Sequence, residues 1–329
     1  MLCFMFLFGL FSIFKVSMAD APSVYIRADG SIDPLTAPIS TLDNITYTLT
    51  HDINSSLYIE RDNITFDGNG HTVIGQYSAV PRISGYLGLY CENITNIIVT
   101  NATITSLVYT RYCSETLFSR NNMTGGIHFD TCNNNEVSDN RISGSAPVGS
   151  ISVDISTHNN FSRNQVTGYG IGLHSSWYNN ISENNITNSL GILLLYCNYN
   201  TIIGNNLTNI TSTFIGFSTS LNNIVYHNNF INGGGVSLVD SGPPRGNNTW
   251  DNGYPSGGNY WAGYNATAMN ATEIDSSGIW SKPYEMMPGN VDNYPLIKPI
   301  PEFPSFLILP LFFTTTILAV LLFKKRRVK

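Results

Sequence analysis

Charged residues are scarce in this chain, at 12% of its 329 residues, and basic residues are scarcer than acidic ones. Six of the 16 lysines and arginines lie in the two terminal segments, which leaves the body with 10 basic and 22 acidic residues and a net charge of about −12. A nucleic-acid partner requires lysine and arginine side chains that neutralise its phosphates. The charge balance therefore argues against nucleic-acid binding. It agrees with stacked β-strands, in which like charges placed opposite each other destabilise the sheet.

Asparagine and apolar residues recur at a regular interval in the middle of the chain. One row of asparagines advances by 24, 20, 21 and 23 residues: Asn140, Asn164, Asn184, Asn205 and Asn228. An apolar residue precedes each asparagine by three positions: Val137, Phe161, Ile181, Ile202 and Val225. A second apolar row advances by the same intervals: Ile127, Ile151, Ile171, Ile192, Ile215, and then Val236. A period of 20–24 residues predicts an all-β parallel solenoid in which equivalent residues of successive coils stack about 4.8 Å apart.

Changes in composition divide the body into parts. The predicted parts are an N-terminal cap with the first strands, the solenoid, an aromatic and glycine-rich C-terminal cap and a proline-rich stalk: residues 20–60, 61–241, 242–298 and 299–305. Caps are needed because an open solenoid end exposes an edge that aggregates. Between Asn101 and Asn140 the asparagine spacing widens to 39 residues. The excess predicts a loop around Tyr109–Asn122 that projects from one coil.

Both ends of the chain carry apolar segments. Residues 1–19 are predicted to be a signal peptide, because the apolar stretch is followed by Ser17 and Ala19, small residues at positions that a signal peptidase reads. An N-terminal membrane anchor is the alternative. Residues 306–323 are uncharged and long enough for a transmembrane segment, and the basic tail 324–329 predicts a cytoplasmic C-terminus. We therefore expect the body to lie on the extracellular face of the cell membrane, anchored at the C-terminus.

An external location agrees with the Asn-x-Ser/Thr sequons, which mark glycosylation sites in secreted proteins. They start at Asn44, Asn54, Asn63, Asn93, Asn101, Asn122, Asn160, Asn180, Asn185, Asn206, Asn209, Asn247, Asn265 and Asn270. A solenoid rich in asparagine turns and threonine strands also forms such triplets by chance. We therefore expect only some of these asparagines to carry a glycan.

Several segments resemble the NosD-like family of β-helix proteins. The likeness rests on the asparagine row, the turn Gly68-Asn69-Gly70-His71, the run Gly257-Gly258-Asn259-Tyr260-Trp261, and the closing pieces Pro283-Tyr284 and Asp292-Asn293-Tyr294-Pro295-Leu296. The resemblance covers roughly residues 22–298 and implies a right-handed, single-stranded parallel β-helix. The family includes carbohydrate-binding and sugar-hydrolysing β-helices and a periplasmic accessory protein of nitrous oxide reductase that has a copper label. Many relatives carry a calcium-loop-like stretch, whereas Glu273-Ile274-Asp275-Ser276-Ser277-Gly278 has too few carboxylates for a Ca²⁺ site.

The C-terminal region carries a second resemblance. Pro301-Glu302-Phe303-Pro304, followed by the apolar span and the basic tail, resembles an archaeal PEF-type C-terminal sorting signal. This resemblance implies an archaeal surface protein and an archaeosortase-like processing enzyme, which removes the span and attaches the body to a lipid. A retained transmembrane helix is the alternative.

Strand alternation predicts a polar group on one outer face of the solenoid. When each coil is counted from its residue in the second apolar row, position +2 is apolar and points inward, and position +3 points outward. His128, Asp130, Asp154 and His174 then gather on one face across three coils. Two carboxylates about 5 Å apart suit retaining glycoside hydrolysis, and two histidines with two aspartates suit a divalent metal ion. A solvated polar face without either role is the third interpretation.

These features favour a cell-surface protein, structural or adhesive, that binds a polysaccharide or surface glycan and uses no cofactor. Four aromatic residues are expected near turns between coils, where they suit stacking on sugar rings: Trp177, Tyr178, Tyr196 and Tyr199. One alternative is a polysaccharide hydrolase or lyase whose catalytic residues are His128, Asp130, Asp154 and His174. The Asp-Asp pair and the Gly-His-Gly of polygalacturonases are absent. A second alternative is a metal-handling accessory protein of the NosD type.

Two sets of residues predict contacts between coils. Cys132 and Cys197 are three coils apart, about 14 Å, which is too far for a disulfide. Cys91 can pair with Cys113 or Cys132 in an oxidising exterior, and the sequence leaves this open. A second outward row alternates in charge and predicts ion pairs between coils: Asp139, Arg163, Glu183, Gly204 and His227.

Overall fold

A computed structural model of the chain describes residues 22–144, 149–238, 247–287 and 289–301. In this part of the chain the regular structure is entirely β, as predicted, and it forms a parallel solenoid of about nine turns. The predicted signal peptide, C-terminal apolar span and basic tail lie outside the described residues. Within those residues, no helix has the length and apolar character needed to cross a membrane.

Three long sheets form the sides of the solenoid. Sheet 1 has 12 strands: Val24–Ile26, Ile32–Asp33, Leu57–Ile59, Gln76–Val80, Ile83–Glu92, Leu107–Arg111, Ile127–Asp130, Ile151–Asp154, Ile171–His174, Ile192–Leu195, Ile215–Ser218 and Val236–Leu238. Sheet 2 has 10: Ile39–Ser40, Thr46–Leu49, Thr65–Asp67, Ile98–Thr100, Leu117–Ser119, Glu136–Ser138, Asn160–Ser162, Asn180–Ser182, Thr201–Ile203 and Ile224–Tyr226. Sheet 3 has 9: Thr72–Val73, Thr103–Ile104, Asn122–Met123, Arg141–Gly144, Gln165–Gly168, Asn185–Ser189, Asn206–Thr208, Asn229–Ile231 and Tyr260–Trp261. The last two strands, Tyr284–Met287 and Asn290–Asp292, pair with each other.

Side-chain alternation within each short strand builds the core. The second apolar row is buried from Ile127 to Ile215, and position +2 is buried from Phe129 to Phe217, which confirms their predicted inward direction. Position +5 is a buried ladder of small residues: Cys132, Ser156, Ser176, Cys197 and Ser220. The core therefore runs along the solenoid axis, and every outward position is left for the surface.

The predicted row of asparagines is confirmed as a buried hydrogen-bonded ladder. Asn164 Oδ1 accepts hydrogen bonds from the main-chain nitrogen and from Nδ2 of Asn140, both at 3.0 Å. A carboxamide both donates and accepts, so each asparagine satisfies polar groups of its own turn and of the adjacent coils. The row also extends to Asn121 and Asn259, beyond the five predicted members.

A second asparagine ladder, which was missed from the sequence, lies at the other end of the last five strands of sheet 2. Its members are Asn135, Asn159, Asn179, Asn200, Asn223 and Asn248. Five of them precede a predicted ladder residue by five positions, so the same period contained the signal. The last five strands of sheet 2 are thus held at both ends by a buried carboxamide.

The loop predicted around Tyr109–Asn122 is wrong. These residues belong to a complete coil, and Asn121 lies 19 residues before Asn140 in the ladder. The ladder position of the preceding coil is occupied by Ala102, whose main-chain nitrogen donates to Asn121 Oδ1. Asn121 follows Phe118 by three positions and therefore continues the predicted row, so the interval that was counted from Asn101 contains two coils of 19 residues each. The insertion of this region is the antiparallel hairpin Gln76–Val80 and Ile83–Glu92.

The C-terminal aromatic segment closes the core. Tyr260 and Trp261 pair with Asn229 and Phe230 and form the last rung of sheet 3. Trp250 and Trp261 are buried, and the ring of Trp261 stacks on that of Phe230 with centroids 4.3 Å apart. These rings cover the apolar end of the last coil, which would otherwise be open to water.

Candidate functional site

The four predicted site residues lie on the outer face of sheet 1. Asp130, Asp154 and His174 are register partners in three neighbouring strands, and His128 lies two residues before Asp130. Asp154 is partly exposed and His174 is exposed, whereas Asp130 is 2% exposed. Strand alternation therefore gave the correct direction for all four side chains, but it gave the wrong environment for Asp130.

The hairpin explains why Asp130 is buried. Its strands pack on the outer face of sheet 1, where Leu87, Tyr90, Leu107 and Tyr109 form a second hydrophobic cluster. Four neighbouring rings continue this cluster along the face: Tyr58, Tyr90, Tyr109 and His128. The hairpin therefore covers the N-terminal part of the face and ends beside the predicted polar group.

The Asp130 carboxylate is fully engaged by the protein. Arg82, at the hairpin turn, lies 2.9 Å from Oδ1, and Arg111 Nε lies 3.3 Å from Oδ2. The Tyr109 hydroxyl donates to Oδ2 at 3.0 Å, and the Thr131 hydroxyl donates to Oδ1 at 2.9 Å. Burial and the hydrogen bond to Asp130 raise the pKa of Tyr109 above its ordinary value. Asp130 thus fixes the hairpin to the solenoid and does not present a free oxygen to a substrate.

Asp154 has a different environment on the adjacent strand. Its Oδ2 lies 3.1 Å from His128 Nε2, and its Oδ1 lies 3.7 Å from His174 Nδ1. Burial acts to raise the pKa of Asp154, but the hydrogen bond from His128 and the charges of His128, His174 and Arg82 outweigh it. The net effect lowers the pKa below its ordinary value, so Asp154 is a carboxylate at neutral pH.

The surface beside Asp154 and His174 is open. Gly172, on the strand that carries His174, has no atom within 4 Å of the position that a side-chain carbon would take. Its neighbours on the same row are Ser152 and Leu193. A ligand can therefore approach this part of the sheet and receive hydrogen bonds from the histidine, while the carboxylate accepts them. The cluster offers one accessible carboxylate, and the two-carboxylate arrangement expected from the sequence is not free for substrate.

An exposed aromatic edge adjoins this face. We define it as Tyr178, Tyr196 and Tyr199, which lie in turns between sheet 1 and sheet 2 and are 53%, 54% and 51% exposed. The rings of Tyr178 and Tyr199 stack with centroids 5.1 Å apart and an interplanar angle of 7°. Tyr196 contacts the ring of His174, with centroids 5.9 Å apart. The expected position of these rings at turns is confirmed, and they form one surface with the polar cluster.

The sequence reasoning missed the partners that decide the roles of the aspartates. Arg82 lies 48 residues before Asp130, in an insertion that breaks the repeat. Arg111 lies on the neighbouring strand in the register of Asp130. The coil register would have placed Arg111 beside Asp130 if the coil at residues 107–123 had been recognised.

Comparison with known proteins gives the family. The family model described as "Periplasmic copper-binding protein (NosD)" matches residues 52–266. The chain belongs to the NosD family. A search of curated proteins finds no match.

Solved structures that are similar to this chain include two enzymes. The chain has 12% identity to the periplasmic alginate epimerase AlgG, with a TM-score of 0.42 over 63% of this chain and 70% of that chain. It has 10% identity to DFA-IIIase from Arthrobacter chlorophenolicus A6, with a TM-score of 0.42 over 62% of this chain and 67% of that chain. These values are too low to transfer an activity to the NosD-family chain.

The NosD description names copper, and the described residues do not fit a protein-held copper ion. They contain no group of three or more His, Cys, Asp or Glu side chains placed to hold a metal. The four described cysteines are free and buried: Cys91, Cys113, Cys132 and Cys197. Burial raises the pKa of Cys197 to about 11, and a thiol must lose its proton to bind a metal.

The sequons differ in exposure. Eight of their asparagines are exposed: Asn44, Asn54, Asn63, Asn93, Asn209, Asn247, Asn265 and Asn270. Five are partly exposed: Asn101, Asn122, Asn160, Asn180 and Asn185. Asn206 is 8% exposed, on the outer side of sheet 3. The folded protein offers little access to its carboxamide, which argues against a glycan at that position.

Proposed function

We propose that this protein is a cell-surface β-helix that binds carbohydrate on the aromatic edge and the adjoining Asp154–His174 face. The observation that carries the proposal is the exposure of three tyrosine rings, each more than half open to water, on one edge of a rigid solenoid. Large exposed apolar groups that lie together mark binding surfaces on soluble domains.

The chemistry of the edge suits a sugar. Tyrosine offers a flat apolar ring and a hydroxyl, and it loses little conformational entropy on binding. The ring of Tyr178 lies between the rings of His158 and Tyr199, with centroids 5.2 and 5.1 Å away, so this stack offers a ligand the outer face of Tyr199, the ring edges and the tyrosine hydroxyl groups. Asp154 and His174 add a hydrogen-bond acceptor and a donor next to Tyr196. Apolar C–H faces and hydroxyl groups alternate on a pyranose, and this surface offers partners for both.

The proposal includes the location and the anchor expected from the sequence. A signal peptide at residues 1–19, the uncharged segment 306–323 and the basic tail 324–329 support an extracellular body attached at its C-terminus. The PEF-type resemblance supports an archaeal source and processing by an archaeosortase-like enzyme. The membrane and the processing enzyme would then be partners besides the glycan.

The proposal is tested with the full chain, purified in detergent and made without glycosylation. Binding to soluble galactan, xylan and mannan is measured for the wild type and for Tyr178→Asn with Tyr196→Asn and Tyr199→Asn. Asparagine suits the left-handed backbone of these three positions. The matched control is Tyr77→Asn with Tyr86→Asn, which removes two other exposed tyrosines that also contact each other.

We expect at least one polymer to bind, the edge variant to lose that binding and the control to keep it. Equal binding by the edge variant and the wild type would contradict the proposal, as would failure of every polymer to bind. Thermal unfolding of each variant shows whether a loss of binding reflects a loss of fold.

A polysaccharide-cleaving enzyme is the second candidate, because Asp154 is an accessible carboxylate held between two histidines. Such an enzyme would release fragments that mass spectrometry detects in the same incubations. Asp154→Asn would abolish the release and leave binding in place. Because Arg82 and Arg111 engage Asp130, the enzyme would need a mechanism with one carboxylate and a histidine instead of the two-carboxylate mechanism.

A further inference from the structure

A groove of about 550 Å³ lies on the other side of the solenoid, at the corner between sheets 2 and 3. Three arginines line it: Arg120, Arg141 and Arg163. Among the described residues, Asp139 is the one carboxylate in its walls, so the groove has a net charge of +2. This charge stands out on a body whose net charge is about −12.

The three arginines differ in their contacts. Arg163 binds Asp139 through two parallel hydrogen bonds of 3.0 and 2.9 Å, as the alternating charge row predicts. Among the described residues, Arg120 donates only to the Thr100 hydroxyl, at 3.4 Å. Arg141 has no side-chain hydrogen bond or ion pair with any residue in the described ranges.

The other described arginines each have a polar partner within the protein. Arg27, Arg82, Arg111 and Arg163 each bind a carboxylate, and Arg61 donates to a main-chain carbonyl. Arg120 and Arg141 are thus the two described arginines that contact neither a carboxylate nor a main-chain carbonyl. Both are exposed and lie on adjacent coils. Their guanidinium groups are available to an anion from outside the molecule.

We infer that this groove, which we call the arginine groove, binds a saccharide chain that bears carboxylates, such as a polyuronate. A guanidinium presents a planar fork that matches a carboxylate with two hydrogen bonds. The amide side chains of Asn122 and Gln165 lie beside Arg141 on the same row of sheet 3 and offer partners for hydroxyl groups. The inference is independent of the aromatic edge, which lies at a different corner.

The shape and the charge of the surroundings narrow the ligand class. The coil rise of about 4.8 Å is close to the length of one residue in an extended polysaccharide, so cations on successive coils match charges on successive sugars. The acidic body repels a dense polyanion such as nucleic acid, which needs many more basic contacts. A chain with one carboxylate for each sugar and many hydroxyl groups fits both the two free cations and the amides.

The test compares polygalacturonate with neutral galactan, again with the full unglycosylated chain in detergent. The groove variant is Arg120→Gln with Arg141→Gln. The matched control is Lys282→Gln with Lys298→Gln, which removes the same charge from two exposed lysines outside the groove. Because Arg120 and Arg141 have few contacts, we expect both variants to unfold at the wild-type temperature.

We expect the wild type to bind polygalacturonate, with an affinity that falls as salt is added. The groove variant should bind it at least about tenfold more weakly, which corresponds to about 1.4 kcal/mol, and the lysine control should stay within about twofold of the wild type. Equal weakening in both variants would mean general charge attraction and would overturn the inference. Absence of polygalacturonate binding by the wild type would also overturn it.

The two proposals fail separately. If the edge variant loses galactan binding while the groove variant keeps full polygalacturonate binding, the aromatic edge stands and the arginine groove falls. If polygalacturonate depends on the arginines while no neutral polymer binds, the arginine groove stands and the aromatic edge falls.

Discussion

The asparagine ladder makes a quantitative prediction for Asn184, which is 1% exposed. Its Oδ1 accepts hydrogen bonds from the main-chain nitrogen and from Nδ2 of Asn164, both at 3.0 Å. Its Nδ2 donates to the Phe161 carbonyl at 2.8 Å and to Asn205 Oδ1 at 3.0 Å. Asn184→Ala removes all four bonds inside a core that water does not enter.

Two of these losses dominate the expected effect. The Asn164 main-chain nitrogen and the Phe161 carbonyl lose their carboxamide partner, and an unsatisfied buried group costs about 1–3 kcal/mol. Asn164 Nδ2 keeps its bond to Val137, and Asn205 Oδ1 keeps its bond from the Asn184 main chain. We therefore expect Asn184→Ala to lower the free energy of unfolding by about 4 kcal/mol, with a range of about 2–6 kcal/mol.

The next residue in the chain supplies the control. Asn185 points outward from sheet 3, is partly exposed, and receives one long hydrogen bond of 3.4 Å from Asn206. Asn185→Ala should cost less than about 1 kcal/mol. Urea unfolding, followed by circular dichroism, measures both variants, which are made without glycosylation because Asn185 begins a sequon. Similar costs for the two variants would refute the assignment of structural energy to the ladder.

Three further predictions follow from other parts of the fold. Desolvation raises the pKa of Asp292 to about 6 in the folded state, so its contribution to stability is full well below pH 4 and is lost as pH rises through about 6. Relative to Asp292→Asn, unfolding experiments should find the wild type about 2 kcal/mol less stable at pH 7 than at pH 4. Asp130→Ala removes the carboxylate that Arg82 and Tyr109 contact, and one of the two carboxylates that Arg111 contacts, since Arg111 also binds Glu92. It should destabilise the protein by about 1–3 kcal/mol, with faster hydrogen exchange in residues 76–92, whereas the more exposed Arg82→Ala should affect the hairpin alone. Gly191→Ala would place a carbon 1.9 Å from the Thr213 carbonyl oxygen at a φ of +99° and should lower the melting temperature sharply, whereas Gly172→Ala, with open space around it, should leave the melting temperature unchanged.

The architecture was predictable because one physical constraint repeats along the chain. From Asn121 onward, each coil buries an apolar row and pairs a carboxamide with the next coil, so residues such as Ile151 and Asn164 recur at the coil period. The constraint is visible only where each coil obeys it. Ala102 occupies a ladder position without supplying a carboxamide, so its coil breaks the row. Asn121, three residues after Phe118, continues the row and was overlooked.

The candidate site was predictable only as far as local geometry determines it. Strand alternation fixes the side to which Asp130 and Asp154 point, and the coil register fixes that they are neighbours. Their different environments depend on the hairpin, whose Arg82 reaches Asp130 across 48 residues of sequence. Because the hairpin is an insertion outside the repeat, the sequence period does not predict its contacts. The three-dimensional structure was therefore needed to distinguish the buried, structural Asp130 from the accessible Asp154.

The C-terminal end of the first asparagine ladder shows how the length of the stack is limited. Each asparagine donates from its carboxamide to the next coil, so every added coil needs another acceptor after it. The last member, Asn259, donates its main-chain N–H to Asp292 Oδ2 at 2.7 Å, and the Trp261 indole nitrogen donates to the same oxygen at 2.8 Å. A carboxylate accepts hydrogen bonds and donates none. Asp292 therefore terminates the series as a chain stopper terminates a polymer, since it satisfies the last coil without requiring another coil or a second molecule to continue the stack.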